Sequence, residues 1–187
     1  MIEYTVSTTD KDLLGIIDLQ KSNLPGNLSP EEMQSQGFVT VVHSFDVLKK
    51  MNGIEQSIVA KDDDTVVAYL LAMTEKSRND IPILAPMFEL FGKIVLGGKP
   101  LAGYRFIVVG QVCVDKGYRG KGILDNCYAA YKKHFKDKYD FAVTEIATKN
   151  GRSINAHKRI GFTEMHRYTA PDSEEWSIVV WDWNNIL

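Results

Sequence analysis

The stretch Gly117–Cys127, GYRGKGILDNC, sets three glycines among Arg119 and Lys121 and runs at once into an apolar, helix-like segment. Glycine is the costliest residue to order, so three within six residues need a reason. One reason is an anion: bare N–H groups at a helix start, aided by the helix dipole, hold phosphate. The other is a loop with a basic, solvated rim. Two familiar phosphate loops do not fit. A GxxxxGK[ST] loop fails because Gly122 follows Gly120-Lys121 and Asp115 stands at the first glycine position. A GxGxxG fingerprint would need glycine at position 125, which is Asp.

The remaining chemistry-bearing residues are sparse. The two cysteines, Cys113 and Cys127, lack CxxC spacing and read as reduced thiols of a cytoplasmic protein. Cys113 lies in a buried-strand pattern and Cys127 in an apolar helix stripe, where thiols are usually inert. His43, His134, His157 and His166 are scattered without HExxH, so no metal site is expected. The net charge of −2 gives no global attraction to nucleic acid, and no apolar run is long enough to span a bilayer. The local basic cluster of Lys116, Arg119 and Lys121 stands out against that neutral background. The N-terminus lacks a signal-peptide pattern.

At 187 residues, 44% hydrophobic and 25% charged, the chain suits a single domain over 1–187. A first strand is expected over 2–7. A helix follows, capped by Asp10, with a stripe of Leu13, Leu14, Ile17 and Leu19. Ser29-Pro30 followed by acids is a helix start. Residues 37–53 predict a short extended piece and then a helix ending at Asn52-Gly53. Two strands flank Asp62-Asp63-Asp64 as a hairpin. Residues 77–103 form a mixed connection with a helix over 85–95. Residues 104–115 read as a strand buried on both faces, with Gly110 marking a bulge or a close backbone approach. Ile123, Cys127, Tyr131 and Phe135 fall on one helix face. A strand over 140–148, a helix over 150–162 stopped by Gly161, and an antiparallel pair close the chain. Trp176, Trp181 and Trp183 read first as strand packing and second as a surface for a homodimer. The order is mixed α/β, with a central strand–loop–helix–strand–helix unit.

With those elements placed, the sequence resembles the GCN5-related N-acetyltransferases. Their pyrophosphate loop, Gln/Arg-x-x-Gly-x-Gly/Ala after the fourth strand, matches Arg119-Gly120-Lys121-Gly122-Ile123 following Val112-Cys113-Val114, with Gly117 where Gln or Arg is usual. A second motif matches Asn150, Ser153, His157 and Gly161-Phe162. Offsets of three and four set the first three along one side of a helix. The resemblance covers about 105–163, the cofactor core, and extends to 56–76.

The resemblance implies a twisted, mostly antiparallel central sheet, splayed at its centre and flanked by helices on both faces. Acetyl-CoA would enter the gap. Its pantetheine amides would bond the backbone over Val112, Cys113 and Val114, and its pyrophosphate would sit on the N–H groups of Gly117, Arg119, Gly120, Lys121, Gly122 and Ile123. Asn150 and Ser153 would touch the pantetheine arm, although Asn150 also reads as a plain N-cap. His157 stands where the family often has Tyr, whose hydroxyl protonates the departing thiolate. An imidazole can do the same, or can simply pack there. The general base is left between Glu75, Glu145 and water. The implied activity is acetyl transfer to an amine in a ternary complex, the amine belonging to a small molecule or a peptide. The rival is a non-catalytic acyl-CoA-binding module.

Overall fold

In a computed structural model, residues 1–186 are described. In chain order they form β1 (Ile2–Val6), α1 (Asp10–Ser22), α2 (Pro30–Gln36), α3 (Phe45–Ile54), β2 (Ile58–Asp62), β3 (Thr65–Met73), α4 (Ala85–Leu90), β4 (Val95–Leu96), β5 (Lys99–Pro100), β6 (Phe106–Val114), α5 (Ile123–Phe135), β7 (Phe141–Ala147), α6 (Gly151–Ile160), β8 (Thr163–Thr169) and β9 (Glu175–Asp182). Seven strands hydrogen-bond in the order β1-β2-β3-β6-β7-β9-β8. The ladders β1–β2, β2–β3, β7–β9 and β8–β9 are antiparallel and β6–β7 is parallel. This is the expected α/β class, a mostly antiparallel sheet with six helices.

Internal contacts divide the chain into two compact units. One is Met1–Met73 with Val109–His134; the other is Thr74–Val108 with the chain from Phe135 on. In the first unit, α1 packs on β3. Its cap is Thr9, not the expected Asp10. Thr9 has extended backbone, so its Oγ1 accepts from the Asp12 N–H at 3.1 Å, while the Asp12 carboxylate accepts from the Thr9 N–H at 3.0 Å. Asp10 is the first helical residue and adds an acid to the first turn. The buried stripe is also corrected. Leu13, Ile17 and Leu19 are buried, but Leu14 is 52% exposed and Ile16 takes the core position. Leu13, Ile16, Ile17 and Gln20 follow the helical period, which Leu14 does not.

Ser29 caps α2 in a full capping box with Glu32. α3 runs one residue past the expected stop, to Ile54. The extended piece before it joins no ladder among the described residues. Its polar groups are met elsewhere: Val39 N–H donates to Asn23 O, His43 N–H to Gln20 Oε1, and Val41 O accepts from Gln111 Nε2.

β2 and β3 form the expected hairpin, from Ile58↔Leu70 to Asp62↔Thr65. β6 lies beside β3 and runs opposite to it, since Gly110 faces Leu71 and Met73 while Asp115 N–H donates to Val67 O. A Cβ on Gly110 would stand 3.4 Å from Met73 Cβ and 3.7 Å from Leu71 Cβ, the distances of ordinary side-chain packing. On α5, Ile123, Cys127 and Tyr131 are buried as expected.

In the second unit, β6 contributes only Phe106–Val108 to the parallel ladder with Phe141–Val143 of β7. From Val109 the strand belongs to the first unit. β7 pairs along its whole length with β9, from Phe141↔Asp182 to Ala147↔Trp176. The helix expected over 85–95 stops at Leu90, and residues 95–100 turn back as the β4–β5 ribbon. Leu101 N–H donates to Ile94 O, which closes that ribbon against the helix end. Phe106 stands between Phe91 and Phe141, at 5.1 and 6.2 Å between ring centres. Trp176 is buried and Trp181 stacks on Phe162, so both tryptophans pack within the unit.

Candidate active site

The first unit carries the glycine loop. β6 ends at Val114, a short 3₁₀ turn spans Lys116–Tyr118, and α5 starts at Ile123. Asp115 fixes the turn by accepting from Gly117 N–H at 2.8 Å. Gly120 and Gly122 have φ of 74° and 76°, left-handed values that disfavour other residues. A Cβ at Gly120 would meet nothing within 4 Å. Among the described residues, the N–H groups of Arg119, Gly120, Lys121 and Gly122 find no backbone acceptor. The loop thus offers open donors at the N-terminus of a 13-residue helix. That arrangement fits a phosphate group.

The basic side chains have partners within the protein, although Lys116 and Lys121 remain exposed. Arg119 Nε donates to Val114 O at 3.0 Å and its guanidinium to Asn23 Oδ1 at the end of α1. Lys116 pairs with Glu32 of α2. Lys121 lies 5.2 Å from the Tyr118 ring, and Tyr118 donates to Asp62 at 2.8 Å. These contacts tie the loop to α1, α2 and β2. Val112 and Val114 are half-buried and Cys113 is buried. Burial pushes the Cys113 and Cys127 thiols up to about 12, so neither is a thiolate near neutrality.

The second unit carries the other motif. Asn150 caps α6, its Oδ1 accepting from Ser153 N–H at 3.2 Å. Ser153 Oγ lies 3.3 Å from His157 Nδ1, so the three residues gather along one side of the helix. His157 Nδ1 also lies 2.8 Å from Ser153 O. A carbonyl can only accept, so Nδ1 carries the proton. His157 is 2% exposed and burial pushes its pKa down to about 4. The ring is therefore neutral near pH 7, and its one proton is committed to Ser153. It stands edge-on to Phe162, 5.0 Å between ring centres.

Of the two carboxylates, Glu75 is exposed and pairs with Arg78 at 3.7 Å. Glu145 is half-buried on β7, and burial pushes its carboxyl up to about 7 against the bond donated by Tyr168. A carboxylate poised near neutrality is suited to taking a proton.

One cluster has no counterpart in the sequence reading. In the first unit, Gln20 Nε2 lies 2.8 Å from His43 Nδ1 and 2.6 Å from Gln111 Oε1. Tyr69 OH donates to the same Gln111 Oε1 at 2.6 Å. Gln111 interrupts an apolar strand, and that interruption was the available signal. His43 lies in the irregular segment before α3, where no periodicity marks it. Among the described residues no group of three His, Cys, Asp or Glu could hold a metal ion, and no helix is long and apolar enough to cross a membrane.

Residues 28–162, more than half of the chain, match the model of the Acetyltransferase (GNAT) family. No curated protein matches the sequence. Among solved structures, Arabidopsis thaliana NAA60 with a bisubstrate analogue aligns at 13% identity over 100% of both chains, with a TM-score of 0.67. The ribosomal-protein-S18-alanine N-acetyltransferase from Escherichia coli aligns at 13% identity over 98% of this chain and 95% of that one, with a TM-score of 0.63. A chain of the NatC complex bound to Gag peptide and CoA aligns at 15% identity over 98% and 99%, with a TM-score of 0.64. Likeness at these identities speaks to the fold, and the family match carries the assignment: the chain belongs to the GNAT family of acetyltransferases.

Proposed function

We propose that the protein moves an acetyl group from acetyl-CoA directly to an amine within a ternary complex. The observation that carries this reading is the set of open N–H groups on residues 119–122 at the start of α5. They would hold the pyrophosphate, each charge-assisted bond contributing about 1.5–3 kcal/mol. The backbone of Val112–Val114 would take the pantetheine amides. Val114 O already accepts from Arg119, so Arg119 shapes this stretch and need not touch phosphate. Asn150 and Ser153 are proposed contacts to the same arm.

Bound acetyl-CoA would supply an activated thioester, whose carbonyl carbon the amine would attack, forming a C–N bond as the C–S bond breaks. We assign the proton that the amine loses to Glu145, whose half-buried carboxyl is pushed by burial up to about 7. With both thiols buried and protonated, direct transfer is favoured over an acyl-cysteine route. His157 was expected to protonate the thiolate. Its neutral ring has no proton to give at Nε2, so we assign it to packing and the thiolate's proton to water. The acceptor is the amine of a small molecule or a peptide; the peptide- and protein-acetylating neighbours favour the latter class. Initial rates at varied acetyl-CoA and amine test the mechanism. Intersecting double-reciprocal lines support direct transfer, and parallel lines would replace it with an acyl-enzyme.

A further inference from the structure

The amide orientations in the Gln20–His43–Gln111–Tyr69 cluster are fixed by groups of one polarity. His43 N–H can only donate, so the atom of Gln20 that faces it at 2.8 Å is Oε1. Gln20 Nε2 is then a donor, and it faces both His43 Nδ1 and Gln111 Oε1. Val41 O can only accept, so Gln111 presents Nε2 to it at 2.9 Å and Oε1 to Gln20 and Tyr69. Every bond in the cluster agrees with one arrangement. In it His43 Nδ1 accepts, and the imidazole proton sits on Nε2.

That Nε2–H is buried and has no partner among the described residues, and His43 is 4% exposed. Buried donors are nearly always satisfied, and an unmet one costs about 1–3 kcal/mol. A network of three side chains thus holds a neutral imidazole as a donor with nothing to donate to. Gln111, which anchors it, directly precedes Val112. If pyrophosphate sits on residues 119–122 and pantetheine runs back along Val114 to Val112, the thioester comes beside residue 111. This step rests on the function proposed above.

We propose that His43 Nε2–H donates a hydrogen bond to the carbonyl oxygen of the acyl group and stabilises the negative charge that develops there during transfer. A neutral imidazole suits the task because it polarises a carbonyl without surrendering its proton. The same arrangement stops His43 from serving as the general base, because Nδ1 is occupied by Gln20. Burial, which pushes its pKa down to about 4, keeps it in this state near neutrality.

The test begins with histidine-labelled ¹⁵N NMR of the full chain and needs no variant. His43 should show a protonated Nε2 and a bare Nδ1. Acetyl-CoA should move the Nε2–H resonance downfield, and CoA, which lacks the carbonyl, should not. A protonated Nδ1, or equal shifts with both ligands, overturns the proposal. In kinetics, His43→Phe should keep the CoA Kd and the amine KM within threefold and lower kcat by about 10²–10³. His43→Gln, which returns an N–H, should recover part of that loss. A folded His43→Phe protein with kcat within threefold of the parent overturns the proposal, as does a loss confined to the amine KM, which would make His43 an acceptor contact. If the parent protein does not bind CoA by calorimetry, the underlying reading fails first. If the parent binds and turns over while His43→Phe matches it, only this inference fails.

Discussion

Replacing Gly120 by valine separates folding from cofactor binding. A Cβ at this position meets no atom within 4 Å, so no steric clash opposes the change. The cost is conformational. A φ of 74° is left-handed, and an L-residue there loses about 1–2 kcal/mol, with valine disfavoured further by its branched side chain. If the loop kept its shape, that strain would burden free and bound states equally and leave affinity unchanged. The cheaper response is to rotate the backbone to negative φ, which re-aims the neighbouring N–H groups. Losing one charge-assisted bond to phosphate, about 1.5–3 kcal/mol, weakens binding roughly 10- to 150-fold at about 1.4 kcal/mol per decade. Calorimetric titration with CoA, beside a thermal melt, reads both effects. We expect a folded protein with CoA affinity reduced at least tenfold. Gly26→Val is the control, since Gly26 also has open space but no left-handed φ, and its CoA affinity should match the parent. A folded Gly120→Val protein with parental CoA affinity would refute the phosphate reading of the loop.

Three further outcomes follow from the geometry. Glu145 has a folded value near 7 against an ordinary 4.5, so its protonated form contributes stability that is complete below pH 4.5 and lost as pH rises through 7. Glu145→Gln should therefore raise the melting temperature at pH 8 and leave it nearly unchanged at pH 4, while lowering turnover by about 10²-fold or more; parental turnover would remove Glu145 as the base. His157 shifts the other way, from 6.5 to about 4, so its contribution is present above pH 6.5 and lost as pH falls through 4. His157→Phe should flatten that acid limb in pH-dependent melts and keep turnover within threefold, whereas a tenfold loss would restore the general-acid role. Gly110→Val should overpack β6 against Met73 and Leu71 and lower stability by about 1–3 kcal/mol in denaturant titrations, and an unchanged midpoint would show the strand yields there.

The sequence made periodic elements and short motifs legible. The β2–β3 hairpin, the face of α5 and the Asn150 cap follow from local patterns that tertiary contacts reinforce. Thr9 was missed because threonine and aspartate both cap helices, and only the reciprocal bond with Asp12 decides between them. The shortness of α4 was hidden because Ile94 and Val95 continue its apolar pattern into the ribbon. The partners of Arg119 and Lys116, Asn23 and Glu32, were hidden because they lie 96 and 84 residues away in sequence. The tautomer of His157 and the His43 cluster depend on hydrogen bonds that no spacing encodes.

Amine-dependent thiol release is the most direct test of acetyl transfer by this protein. Purified protein, acetyl-CoA and a panel of small-molecule amines and peptides with free N-termini would be followed with a thiol reagent, and the acceptor's mass would be checked for an acetyl group. At least one amine should accelerate thiol release, with acetyl appearing on that amine in equal amount. CoA binding by calorimetry without amine-dependent release across the panel would contradict acetyl transfer and leave a protein that holds acyl-CoA without transferring it.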